Sequence, residues 1–287
     1  MKIIQKYELE ANKKKDLIVG IGIGDSEYHN QKIHTASLKF SKKFKTTVLI
    51  FGKKNFIDRL RKGSQKNKLN SQVKFIECLI PERIIIEFLI NNSIQAIVRG
   101  SLSSSKFLEN LKRSLNLDKI NRLALLETVK EHQFFFGPIG IDECTNLKNK
   151  LLFLDSAIKE IQDLDIIPKV SILSGGRLGD IGRDVKVDQT IQDAEKIVDS
   201  MKNKYPNLMI SHDEILIEKA VENGSNLIIA PDGVSGNLIY RTLVHLGGGK
   251  AYGAIYMGFE KSIIDTSRVG DQSEIYGALV LSLALAK

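Results

Sequence analysis

Short β-branched runs alternate with longer amphipathic stretches along most of this chain. Residues 17–21, 47–51, 73–76 and 96–98 have the length and bulky apolar composition of buried strands. Between them, segments 27–43, 53–62 and 81–91 carry apolar residues at helical spacing, as at Ile84, Ile85, Phe88 and Leu89. The same rhythm resumes at 169–173, 227–229 and 253–256. Such alternation predicts parallel strands joined by crossover helices, a doubly wound α/β architecture. The pattern breaks once. Residues 122–129 and 134–138 read as two consecutive strands with no helix between them, which marks a crossover between domains. The expected division is 1–133 with 262–287 as a first α/β domain and 134–261 as a second, the last helix returning to the first.

Composition narrows the function classes. The chain has 287 residues, 43% hydrophobic and 26% charged, enough for one large or two medium globular domains. No apolar run approaches the ~20 residues of a membrane span, and the first eight residues lack the apolar core of a secretory signal. The expectation is a cytoplasmic protein with no membrane partner. The formal charge of +8 raises the question of nucleic acid. The lysines, however, fall on polar faces, as in Lys13-Lys14-Lys15 and Lys42-Lys43, and aromatics make up only 7% of the chain. A solvated basic surface is expected, with no nucleic-acid partner and a field that favours polyanionic small molecules. Cys78 and Cys144 are too few and too far apart for a disulfide framework. None of the five histidines has a metal-ligand spacing, so no metal site is expected.

Chemistry concentrates where apolar runs end. Gly20-Ile21-Gly22-Ile23-Gly24 follows the first run, but its third glycine is misplaced for a dinucleotide loop. A tight strand-to-helix turn is expected, with Asp25 and Ser26 as caps. Gly100-Ser101-Leu102-Ser103-Ser104-Ser105 ends the fourth run and opens an amphipathic helix. Gly100, Ser103, Ser104 and Ser105 there suit either a phosphate site or a serine-rich N-cap. Residues 174–184 hold four glycines with Arg177 and Arg183, and Ser174 and Arg177 are candidates for an anion-binding loop. Asp232, Ser235 and Asn237 cluster after residues 226–230 and are assigned to substrate binding, although an ordinary capped junction accounts for part of the cluster. Ser267, Arg268 and Glu274 stand just before the C-terminal helix as catalytic candidates. Asp271-Gln272-Ser273-Glu274 also has the form of a capping box, so Glu274 is either a base or a helix cap.

The order of these residues resembles the phosphate acetyltransferase/butyryltransferase family, which carries a Pro-Asp-x-x-Ser-Gly-Asn-x-x-Tyr-Lys segment followed by Asp-x-Ser-Arg-Gly. Here the first reads Pro231-Asp232, Ser235-Gly236-Asn237 and Tyr240-Arg241; the second reads Asp265, Ser267 and Arg268, with Val269 inserted. Within that family the chain is most similar to the methanogen marker protein 4 (MtxX) group, a divergent branch named as methyltransferases. The resemblance implies a two-domain, doubly wound, three-layer αβα fold of the isocitrate/isopropylmalate dehydrogenase-like, phosphate acyltransferase-like type. It also implies an active cleft between the domains and a homodimer. Ser267 and Arg268 would then bind the transferring group, and Glu274, where the family has Asp, would accept a proton. The implied substrate is a small anion, either CoA or a phosphorylated methanogen coenzyme, and no separate cofactor is identified. Departures from the family, with Asn110 in place of an arginine, Gly176 in place of a serine and Val269 inserted, point to altered chemistry. The alternatives are acyl transfer from an acyl phosphate to CoA, or ligand binding without catalysis.

Overall fold

The N-terminal apolar runs are strands in the computed structural model, which describes residues 1–63 and 72–287. With elements numbered along the chain, the first part contains α1 (Ile3–Lys13), β1 (Ile18–Gly22), α2 (Glu27–Phe44), β2 (Thr47–Gly52) and α3 (Lys54–Gly63). These are followed by β3 (Val73–Glu77), α4 (Pro81–Ile90), β4 (Ala96–Val98) and α5 (Ser104–Leu115). The two runs without an intervening helix are β5 (Asn121–Glu127) and β6 (Gln133–Gly137), which pair antiparallel. Next come α6 (Leu147–Gln162), β7 (Lys169–Ile172), α7 (Val185–Lys204), β8 (Met209–His212), α8 (Ile217–Glu222), β9 (Leu227–Ile229) and α9 (Gly233–Arg241). The chain closes with β10 (Lys250–Met257), β11 (Ser262–Asp265) and α10 (Gln272–Ala284).

Two compact units form, Met1–Ile120 with Ala251–Lys287, and Asn121–Lys250. The expected division at 133/134 and 261/262 differs at both ends. Because β5 pairs with β6 it belongs to the second unit, and because β10 pairs with β11 it belongs to the first.

In the first unit the strand order is β3-β2-β1-β4-β11-β10, parallel except for β10. Strand alternation sorts the side chains by face. Leu49, Phe51, Ile97 and Ile263 pack with Ile85, Leu89, Phe107 and Leu111 under α4 and α5. α10 packs against α1 and α2, and its residues Ile275 and Gly277 through Leu283 are buried. A helix apolar all round is a core element rather than a surface one. Because β2 lies on one side of β1 and β4 on the other, the chain changes direction between β1 and β4. Open α/β sheets bind ligands at the carboxyl ends of strands at such a switch point.

In the second unit the order is β5-β6-β9-β7-β8, parallel beyond the β5/β6 pair. Among the described residues no helix is long and apolar enough to cross a membrane.

Candidate functional site

The glycines after β1 are explained by packing. A Cβ on Gly20 would lie 2.7 Å from Ile94, and one on Gly22 would lie 2.2 Å from Leu102. Beyond them the β1–α2 and β4–α5 loops are tied by a ring of hydrogen bonds. Gly24 N–H donates to Ser101 Oγ at 2.7 Å, Ser101 Oγ donates to Asn30 Oδ1 at 2.7 Å, and Asn30 Nδ2 donates to the Gly24 carbonyl at 2.7 Å. Ser26 caps α2 by accepting from His29 N–H, as expected. Gly100 has φ of +63°, and a Cβ there would stand 2.0 Å from the Gly22 carbonyl oxygen. Its lack of a side chain permits this loop-to-loop contact. Gly100→Ala is therefore expected to cost about 2–3 kcal/mol from left-handed strain plus backbone overlap. Chemical denaturation checks this, and a loss below about 1 kcal/mol would show that the loops yield easily.

The segment before α10 is anchored from beneath. Arg99, after β4, and Asp265, the last residue of β11, form a buried ion pair through Arg99 Nε and Asp265 Oδ1. The same guanidinium donates to the carbonyls of Leu102 and Thr266, and Thr266 Oγ1 donates to the Gly100 carbonyl at 3.0 Å. Asp265 thus fixes the backbone that presents Ser267 and Arg268. Glu274 is buried, and its Oε1 accepts the Ser267 N–H at 2.6 Å. Asp271 caps α10 by accepting from Glu274 N–H at 3.0 Å. A Cβ on Gly270 would meet Glu274 Oε2 at 2.2 Å, so the carboxylate lies inside the 267–270 loop. Its observed contact holds that loop in shape, which is different from the reciprocal capping bond to Asp271 N–H.

A cavity of about 550 Å³ opens at the switch point, lined by residues from the loops after β1 and β4 and by Arg268 and Val269. Three cationic side chains line it, Lys53 just after β2, Lys106 in the first turn of α5, and Arg268. None of the three has an ion-pair or side-chain hydrogen-bond partner among the described residues. Ser103, the N-cap of α5, makes no capping bond, and its hydroxyl instead lies 3.2 Å from that of Ser105. Phe107 N–H is the first amide of α5 to bond within the helix, to the Ser103 carbonyl. The amides of Ser104, Ser105 and Lys106 therefore remain available at the positive end of the helix dipole. Cations and free helix amides are the donor types that bind phosphate and carboxylate groups. Gly100, Ser103, Ser104, Ser105, Ser267, Arg268 and Glu274 all belong to this unit, where Ser103 and Arg268 line the cavity directly. Lys53, Lys106 and Arg99 are not among the residues that the sequence pattern singles out for the site. The available signal is position, since Lys53 and Arg99 directly follow strands and Lys106 stands in the first turn of the helix after β4.

An open groove adjoins the cavity along Lys53, Cys78 and Leu79. Cys78 is half-buried rather than a core residue, and burial pushes its thiol pKa up, with the nearby Glu82 carboxylate adding to the effect.

In the second unit the candidate residues are mostly committed to local structure. Ser174 is buried, donates to the Gly176 carbonyl at 2.8 Å and lies 2.8 Å from His212 Nε2. Burial holds the His212 pKa below the usual histidine value. Asp232 caps α9 by accepting from Ser235 N–H at 2.8 Å, and Ser235 Oγ accepts from Asp232 N–H. Asn237 Nδ2 donates to the Ile139 carbonyl at 2.8 Å. The intervening glycines let α9 press on the 138–140 loop, because a Cβ on Gly233 or Gly236 would overlap the carbonyl of Gly140 or Pro138. Arg177 alone of these candidates has a side chain with no hydrogen bond or ion pair among the described residues, although its charge helps hold the Asp180 carboxyl below the usual range.

Residues 87–283 match the phosphate acetyl/butaryl transferase family. A protein of Methanosarcina mazei named "Putative methyltransferase mtx subunit X" is 38% identical over 93% of this chain and 90% of its own. A protein of Methanocaldococcus jannaschii named as an uncharacterized methyltransferase is 36% identical over 74% of this chain and 88% of its own. Among solved structures, a branched-chain phosphotransacylase from Enterococcus faecalis superposes with a TM-score of 0.68 at 15% identity, covering 94% of this chain and 99% of its own. That similarity establishes the fold.

Proposed function

Because the chain belongs to the phosphate acetyl/butaryl transferase family, and within it groups with the mtx subunit X proteins, we propose that it is a group transferase for a small anionic substrate, phosphorylated or CoA-type. The anionic end of the substrate binds in the switch-point cavity of the first unit. The observation that carries this reading is the set of three uncommitted cations, Lys53, Lys106 and Arg268, beside the free amides at the start of α5. In a folded protein, cations left unpaired around a concavity favour an anionic ligand by direct Coulombic attraction, and the helix amides add directional hydrogen bonds.

Arg268 supplies a planar fork suited to two oxygens of one phosphate, and the lysines supply point charges. Ser267 sits beside Arg268 with its hydroxyl accepting from Val269 N–H, so its proton remains available to a substrate oxygen. The group transferred is a methyl group, by the names of the similar proteins, with acyl transfer from an acyl phosphate to CoA as the second reading. The position of Glu274 favours the first. Its carboxylate is buried inside the 267–270 loop and is not part of the cavity lining, so it stands less ready to take a thiol proton than acyl transfer to CoA requires.

Calorimetric titration with CoA, acetyl phosphate, S-adenosylmethionine and phosphorylated methanogen coenzymes tests the reading. Saturable binding of at least one phosphorylated compound is expected. Binding of S-adenosylmethionine alone would move the chemistry away from a phosphate site, and binding of none would remove the transferase reading.

A further inference from the structure

Glu82 is the second residue of α4, directly after Pro81, which opens that helix. An acidic residue in a first helical turn is ordinarily explained by the helix dipole, with its carboxylate in water. Glu82 does not fit that pattern. It is nine-tenths buried, with 9% of its surface exposed, and it lines the switch-point cavity. No hydrogen bond or ion pair engages its side chain among the described residues. What remains of its surface looks into the cavity, where no protein donor among the described residues meets the carboxylate. The cations of the same cavity have no bond to it either. A ligand that fills the cavity displaces the water there and must supply donors to Glu82 in its place, or leave a carboxylate unsatisfied.

We propose that Glu82 is a specificity-determining residue that accepts hydrogen bonds from a vicinal diol, so that the ligand is a sugar phosphate or a ribosyl-phosphate compound. This deepens the reading of the cavity as an anion site and rests on it. The cavity chemistry selects the donor. Against the carboxylates of Asp25 and Glu82 the cavity sets three cations, Lys53, Lys106 and Arg268, so its net charge opposes a ligand ammonium group and does not oppose neutral hydroxyls. A carboxylate presents two acceptor oxygens side by side, which match two adjacent hydroxyls. The volume of about 550 Å³ lies within the range of small-ligand sites and accommodates a pentose phosphate. The adjoining groove past Lys53 and Leu79 leaves room for whatever the sugar carries. In this arrangement the phosphate lies toward the amides of α5 and Arg268, and the diol toward the start of α4.

The test is calorimetric titration of the full chain with inorganic phosphate, ribose 5-phosphate and 2-deoxyribose 5-phosphate, repeated on Glu82→Met. The wild type is expected to bind ribose 5-phosphate about tenfold more tightly than the deoxy sugar, the value of one hydrogen bond to a charged acceptor. Glu82→Met should reduce that ratio to about one and leave inorganic phosphate bound at least as tightly, because a like charge has left the site. Equal affinity of the two sugars for the wild type, or full discrimination by Glu82→Met, would overturn the proposal. The wild-type comparison decides the matter even if the variant fails to fold. Phosphate binding without sugar discrimination removes only this inference, whereas failure of all three probes to bind removes the anion-site reading together with it.

Discussion

Arg99→Met is expected to lower the unfolding free energy by about 3–5 kcal/mol, the cost of leaving one partner of a buried ion pair alone. The side chains of Arg99 and Asp265 are 5% and 8% exposed, so water cannot replace the lost guanidinium. The same substitution strips a donor from the Leu102 and Thr266 carbonyls, each of which then needs a new partner. A comparison fixes the scale. Arg61 and Glu77 are 2.6 Å apart but 47% and 36% exposed, and Arg61→Met should cost under about 1 kcal/mol because solvent screens the pair. Denaturant titration followed by circular dichroism measures both. Similar small losses in the two variants would mean that Arg99 is not the anchor of the site. The effect should extend to function, because Arg99 joins the loop after β4 to the backbone carrying Ser267 and Arg268. A folded Arg99→Met protein is expected to bind phosphorylated ligands poorly although none of the cavity's own cations has changed.

Arg268→Ala should behave in the opposite way. Its guanidinium is exposed and has no partner among the described residues, so stability should change by no more than about 0.5 kcal/mol. Affinity for acetyl phosphate or inorganic phosphate should fall about 10- to 100-fold, the value of losing one charge-assisted contact of roughly 1.5–3 kcal/mol. Arg268→Lys should recover part of this loss, since the charge returns without the bidentate fork. Calorimetry on the three proteins, with their thermal midpoints measured alongside, separates binding from folding. An Arg268→Ala protein that binds phosphate as the wild type does would remove Arg268 from the site.

The fold was legible wherever a strand announced itself as a β-branched run. β8 and β11 were not, because neither shows the apolar alternation that marks the equally short β7: in β8 the polar Ser211 and His212 are adjacent, and in β11 only Ile263 and Ile264 stand between Ser262 and Asp265. Pairing with neighbours far away in sequence makes them strands, and no local pattern reports that. The site was legible as a set of loops, since small and polar residues at strand ends are recognisable in a linear sequence. Which side chains serve structure and which face a ligand depended on contacts across long separations. Ser101 meets Asn30, 71 residues away, and Arg99 meets Asp265, 166 residues away. Asp265 looked like a loop residue and is the end of a strand clamped by that arginine. Lys53 and Lys106 carried no signal because an isolated lysine reads as solvated surface. Their significance comes from the cavity they share. Asp232, Ser235 and Asn237 formed a cluster too polar to pass over; the first two cap α9 through each other, and Asn237 ties the helix to the 138–140 loop.

We place the anionic end of the substrate in the switch-point cavity of the first unit. A crystal of the full chain grown with inorganic phosphate or acetyl phosphate would test it most directly. Tetrahedral density is expected within hydrogen-bond distance of the Arg268 guanidinium and the amides of Ser104 to Lys106. Density confined to the loop around Arg177, or a cavity holding only water at a ligand concentration that saturates the protein in solution, would contradict it.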